Sequence, residues 1–167
     1  IHMSVKQFEI FHGMALTKLL RSEKPVSLQM IETKPVSEDW RIYTIFRNSG
    51  ETDLFVKHRI THEAPKKDGY SWQFIFSPNE ISRIIGKDRP VCVVLVCGRQ
   101  NVKENKIMEI CFLEPEQVKQ IFPSDGTKTF SLTVRSEPNR QLQVKTNRKT
   151  IDTIPRTAIE DWAISDN

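Results

Sequence analysis

The chain predicts a single mixed α+β domain. Three observations carry this: an N-terminal stretch with apolar residues three and four apart, a long run of segments alternating with period two, and two short helix-start signatures set between strands. Most strand-to-strand connections are too short for a parallel crossover, so the sheet should be mostly antiparallel. The expected architecture is one mixed sheet of about eight strands with an N-terminal helix and two short helices packed on it.

Residues 5–22 form the expected first helix. Phe8, Phe11, Ala15, Leu16, Leu19 and Leu20 recur at helical spacing, while Lys6, Gln7, Lys18 and Arg21 fall off that stripe. Gly13 weakens the middle, and Pro25 closes the segment because the residue before a proline avoids helical angles. Period two then takes over. Val26, Leu28 and Met30 alternate with Ser27 and Gln29, and Trp40, Ile42, Thr44 and Phe46 alternate with Arg41, Tyr43 and Ile45. Asn48-Ser49-Gly50 turns into a third strand, where Leu54, Val56 and Ile60 oppose Lys57 and Arg59. In a fourth, residues 71–77, Trp72, Phe74 and Phe76 share one face.

Ser77-Pro78-Asn79-Glu80 combines a capping serine, a first-turn proline and an acid three residues on, and starts a short helix ending near Gly86. Residues 91–97 are apolar on both faces, as a central strand must be, and 107–113 form a neighbour. Glu114-Pro115-Glu116-Gln117 starts a second short helix carrying Val118, Ile121 and Phe122, stopped by Pro123. A final hairpin has strands near 129–135 and 141–146, joined through Glu137-Pro138-Asn139. The two helix-containing connections leave room for parallel pairs. No internal repeat or domain linker is visible.

The 167 residues suit one domain able to bury a core without staples. Ile1-His2-Met3 reads as a cloning remnant with Met3 as the natural start, 4–150 as the domain, and 151–167 as a tail docked on it. The longest apolar run, Val91 to Cys97, is far short of the ~20 residues of a membrane helix, so no membrane association is expected. No basic n-region followed by an apolar h-region appears, so secretion is not expected. Cys92, Cys97 and Cys111, odd in number and set in apolar segments, read as buried thiols of a reducing compartment, cytoplasm or nucleus. Zinc knuckles, glycine-rich phosphate loops and the Gly-x-Ser-x-Gly and His-Glu-x-x-His signatures are missing, so neither metal nor cofactor is expected.

The formal charge is +4, and the sequence pI is about 9.0. That excess is equalled by the segment from Val134 to Arg156, where Arg135, Arg140, Lys145, Arg148, Lys149 and Arg156 face only Glu137 and Asp152. On the last hairpin Phe130, Leu132, Val134, Leu142 and Val144 form the inward set, leaving Ser131, Thr133, Arg135, Gln141, Gln143 and Lys145 outward. Short polar and cationic side chains on a sheet face suit phosphate contact. A second basic cluster, Lys57 and Arg59 with Lys66 and Lys67, belongs to the third strand and its loop. The competing reading is a solvated face that keeps the protein soluble.

His58 and His62 share a strand face but lie roughly 13 Å apart at strand rise, too far for one ion. His12, on the apolar side of the first helix, reads as a packed histidine. Glu32-Thr33-Lys34 resembles the Glu-x-Lys element of the PD-(D/E)xK nucleases over three residues. In that family paired carboxylates hold a divalent cation and the lysine stabilises developing charge. The family's earlier acid is unmatched here, because only a helix lies upstream; Asp53 would supply a carboxylate in permuted order. The tail from Ile151 places Ala158, Ile159 and Trp162 at helical spacing, either docked on its own domain or offered to a partner groove.

Three functions follow in order. The first is a small intracellular binding protein, nucleic-acid-associated through Arg135, Arg140, Lys145, Arg148 and Lys149 with Lys57 and Arg59. The second is a protein-interaction or adaptor domain using a sheet edge or Ile159 and Trp162. The third is a metal-dependent nuclease built on Glu32, Lys34 and Asp53. The balance leans away from an enzyme.

Overall fold

Alternation produces the strands, but several of them are covered on both faces, and that decides the architecture. The computed structural model describes residues 7–20, 27–30, 39–47, 49–61, 69–86, 88–100 and 105–165. In chain order the elements are α1 (Gln7–Leu20), β1 (Ser27–Met30), β2 (Trp40–Arg47), β3 (Gly50–Thr61), β4 (Tyr70–Phe76), α2 (Pro78–Ile84) and β5 (Val91–Gln100). Then come β6 (Asn105–Leu113), α3 (Pro115–Ile121), β7 (Phe130–Ser136), β8 (Leu142–Lys145), β9 (Thr150–Ile154) and α4 (Ala158–Ile164).

The α+β class holds, with two sheets in place of one. A five-stranded sheet has the order β1-β2-β3-β5-β6, and a four-stranded sheet has the order β4-β7-β8-β9. Described ladders are antiparallel except β3 with β5, whose parallel pairing uses the long connection through β4 and α2. One face of the larger sheet packs Leu54, Val56, Cys92, Val94 and Phe112 against Ala15 and Leu19 of α1 and Ile159 and Trp162 of α4. Its other face packs Phe55, Val93, Leu95 and Leu113 against Trp72, Phe74, Phe76, Leu132, Val134 and Val144 of the smaller sheet, closed by Ile81 and Val118 of the short helices. Cys92 and Cys97 point into opposite cores, as their five-residue spacing requires. Burial pushes all three thiols up, Cys111 to about 12, so they stay protonated.

The second sheet corrects the reading of β3. A strand with one wet face would expose Lys57, whereas here it lies under β4. The two short helices are related to one another. Phe76-Ser77-Pro78-Asn79-Glu80-Ile81 and Leu113-Glu114-Pro115-Glu116-Gln117-Val118 each end a strand, cap a helix and place proline at its first turn. The caps Ser77 and Glu114 have φ/ψ of −71/162 and −70/161. The first unit, β4-α2-β5, crosses from the smaller sheet to the larger, and the second, β6-α3-β7, crosses back. Exchanging the two units maps the β4–β7 ladder onto β6–β5.

Candidate nucleic-acid interface

β4 and β7–β9 bury one side-chain set against the larger sheet, so the alternate set must point outward. Ladder register arranges that set in rows: Ser71, Arg135 and Gln143 in one; Gln73, Thr133, Lys145 and Thr150 in the next; Ile75 and Ser131 in a third. Among the described side chains of these rows none is a carboxylate, and Ile75 is the sole large apolar group, 50% exposed. Hydroxyls, amides and the Lys145 ammonium on an open sheet can donate hydrogen bonds and charge to an anionic surface, while Arg135 is engaged by Glu137.

The turns at either end extend this face. Between β8 and β9 the Thr146 hydroxyl accepts from the backbone N–H groups of Arg148 (3.2 Å) and Lys149 (2.9 Å), holding both residues on an exposed turn. Lys149 Nζ reaches Gln120 Oε1 of α3 at 3.2 Å. Between β7 and β8, Asn139 takes a left-handed conformation, φ 62, and the turn is anchored from behind by Arg156. The Arg156 guanidinium donates to the carbonyls of Arg140 (3.2 Å) and Glu137 (2.5 Å), to Ser136 Oγ (2.9 Å) and to Glu109. Arg135 lies along the backbone of Gly69, where a Cβ would sit 2.8 Å from its Nη2 and 2.7 Å from the Ser136 carbonyl. Its Nη1 donates to Ser71 Oγ at 3.1 Å, and its Nε to Glu137.

Arg135, Arg140, Lys145, Arg148 and Lys149 thus belong to one four-stranded sheet and its turns. Arg59 is exposed on β3, in the other sheet. Lys57 requires correction: its side chain is 6% exposed and its ammonium bonds Glu80 (2.8 Å) and the Ile75 carbonyl (2.5 Å), so it presents no charge to a ligand. Lys66 and Lys67 lie outside the described residues.

Of the nuclease trio, Glu32 and Lys34 lie outside the described residues. Asp53 is buried, accepting from Thr44 Oγ1 (2.9 Å) and pairing with Arg89 Nε (3.3 Å). Asp53 and Lys57 are four apart on one strand, with separate partners. Trp162 and Ile159 are corrected as exposed partner contacts. Both are buried on the larger sheet, with Trp162 against Phe112 (ring centroids 5.3 Å) and beneath the Arg47 guanidinium (3.8 Å). Cys97-Gly98 ends in a β-bulge whose Gly98 carbonyl accepts from the Trp72 indole at 2.7 Å, which gives this corner a packing role.

Sequence reasoning missed the contribution of β4 to the outward face, although the Trp72, Phe74, Phe76 alternation already turns Ser71 and Gln73 the other way. What it lacked was the β4–β7 pairing. No helix among the described residues is long and apolar enough to cross a membrane, and no group of three or more metal-ligating side chains converges among them. Neither a family model, nor a curated protein, nor a solved structure matches this chain.

Proposed function

We propose that the protein binds the phosphate backbone of nucleic acid through the outward face of its four-stranded sheet and the two turns that flank it. The observation carrying this is the composition of that face: rows of Ser, Thr and Gln with Arg135 and Lys145, bordered by Arg140, Arg148 and Lys149. Cations neutralise phosphates and release counterions, while hydroxyls and amides set orientation. The rows offer no aromatic ring for a base to stack on, which favours backbone contact over base reading.

The test is fluorescence anisotropy of a labelled duplex oligonucleotide across a salt series. Affinity should fall linearly on a log–log plot, and Lys145→Glu with Arg148→Glu should flatten the slope by about two units, near 0.9 per lost contact. Binding that is flat in salt, or unchanged in the double variant, rejects the proposal. The adaptor and nuclease readings draw less support, because Trp162 and Ile159 are covered and Asp53 is engaged with Arg89.

A further inference from the structure

Arg135 near the end of β7 and Arg140 on the flanking turn already hold an anion. Glu137 Oε1 accepts from Arg135 Nε at 3.0 Å, and Oε2 accepts from Arg140 Nη1 at 3.0 Å. Each carboxylate oxygen therefore has its own guanidinium, the arrangement by which two arginines clamp two oxygens of a phosphate. These two cations hold the Glu137 carboxyl below the usual range.

The clamp is fixed from three directions. Ser71 and the bare backbone of Gly69 seat Arg135. Arg156 bonds the carbonyls of Glu137 and Arg140 and so sets both ends of the turn. The backbone N–H of Arg140 closes the turn on the Glu137 carbonyl at 3.3 Å. Arg156 grips only the backbone of Glu137, so the carboxylate can swing away while the turn backbone and the Arg135 guanidinium, held by Ser71, stay in place.

We propose that Arg135 and Arg140 form a phosphate-binding cleft whose resident occupant is Glu137, and that a backbone phosphodiester displaces this carboxylate. The inference rests on the proposed nucleic-acid function and adds a threshold to it. With Glu137 in place the facing guanidinium N–H groups are occupied and the net charge of the trio falls from +2 to +1, so a polyanion anchored at neighbouring cations such as Lys145 competes successfully. Isolated phosphate does not.

The isosteric Glu137→Gln variant tests this, since it keeps an acceptor of the same shape and removes the charge. Affinity for a labelled duplex oligonucleotide should rise about tenfold, and the log–log salt slope should steepen by one to two units. Inorganic phosphate should shift the Arg135 and Arg140 Nε–H resonances in Glu137→Gln and leave them unmoved in the parent protein. Adding Arg140→Gln to Glu137→Gln should abolish the gain. Equal affinity and slope in parent and Glu137→Gln, with both binding, overturns the cleft and leaves the sheet-face reading intact. Absence of oligonucleotide binding in both proteins at low salt overturns that reading. A Glu137→Gln protein blind to phosphate overturns the cleft whatever the oligonucleotide does. Circular dichroism melting confirms the fold of each variant.

Discussion

Nε2 of His12 on α1 and Nδ1 of His58 on β3 face one another at 3.2 Å, with the rings T-shaped and the contact sealed between helix and sheet. His12 is 1% exposed. Burial is the main reason that both rings hold protons weakly. For His12 the neighbouring His58 and Arg41 lower the pKa further, against a smaller raising influence of Asp39, and the result is about 3. For His58, Asp39 raises it while Lys57 and Arg41 lower it. Lys18 of α1 pairs with Glu160 of α4.

This pair makes stability depend on pH in a defined direction. Unfolded histidine takes up a proton near pH 6.5, whereas folded His12 stays neutral down to about 3. The stabilisation is whole above 6.5 and is lost as the pH falls through that window, by up to about 1.4 kcal/mol per pH unit for one group. Urea midpoints at pH 7.5, 6, 5 and 4 should trace this loss in the parent. In His12→Phe the curve should be markedly flatter. Equal slopes in the two proteins contradict the assignment.

The Lys57–Glu80 pair should be costly to break from one side. Glu80 is committed twice, accepting from the Ser77 backbone N–H at 2.7 Å as part of the α2 capping box and from Lys57 at 2.8 Å. Lys57→Met strands a buried carboxylate and should cost about 3–5 kcal/mol in urea unfolding. Adding Glu80→Gln keeps an acceptor for the cap and removes the stranded charge, so the double variant should recover part of the loss. Strict additivity counts against the pair.

Gly69 should not tolerate a side chain. A Cβ there approaches the Ser136 carbonyl to 2.7 Å, and that backbone belongs to the β4–β7 ladder and cannot step aside. Gly69→Ala should lower stability by about 1–3 kcal/mol, read as a drop in Tm. It should also dislodge Arg135 and weaken oligonucleotide binding.

Trp162 should behave as a core residue. It is 9% exposed, against Phe112, with Arg47 on its outer face. Trp162→Ala should cost about 3 kcal/mol, and Arg47→Met about 0.5–1 kcal/mol with a red shift in tryptophan emission. A Trp162→Ala protein as stable as the parent would refute the docking of α4.

Local patterns in the chain were good guides where one element answers to its own residues. The capping box at Ser77 and Glu80, the α1 stripe through Ala15 and Leu19, and the inward set on β7 and β8 all depend on neighbours within a few residues. Pairing across long separations carries no such mark. The β4 strand joins β7 some sixty residues on, and from that partnership follow the second sheet, the burial of Lys57 and the width of the outward face. Alternation in β3 looked amphipathic because Lys57 occupies an inward position, and a lysine that reaches a buried glutamate is indistinguishable in sequence from one that reaches water. The site suffers the same blindness: the arginines are visible in the hairpin, but the carboxylate seated between them becomes meaningful only once the turn is closed.

The two strand–proline–helix–strand crossings have a consequence for folding. Each sheet takes a strand from a unit that began in the other: the larger sheet needs the first crossing to pair β3 with β5, and the smaller needs both to pair β4 with β7. The β4–β7 and β3–β5 contacts span long stretches of chain, which slows their formation. The two sheets and the short helices also share one core, so they should unfold as one cooperative unit.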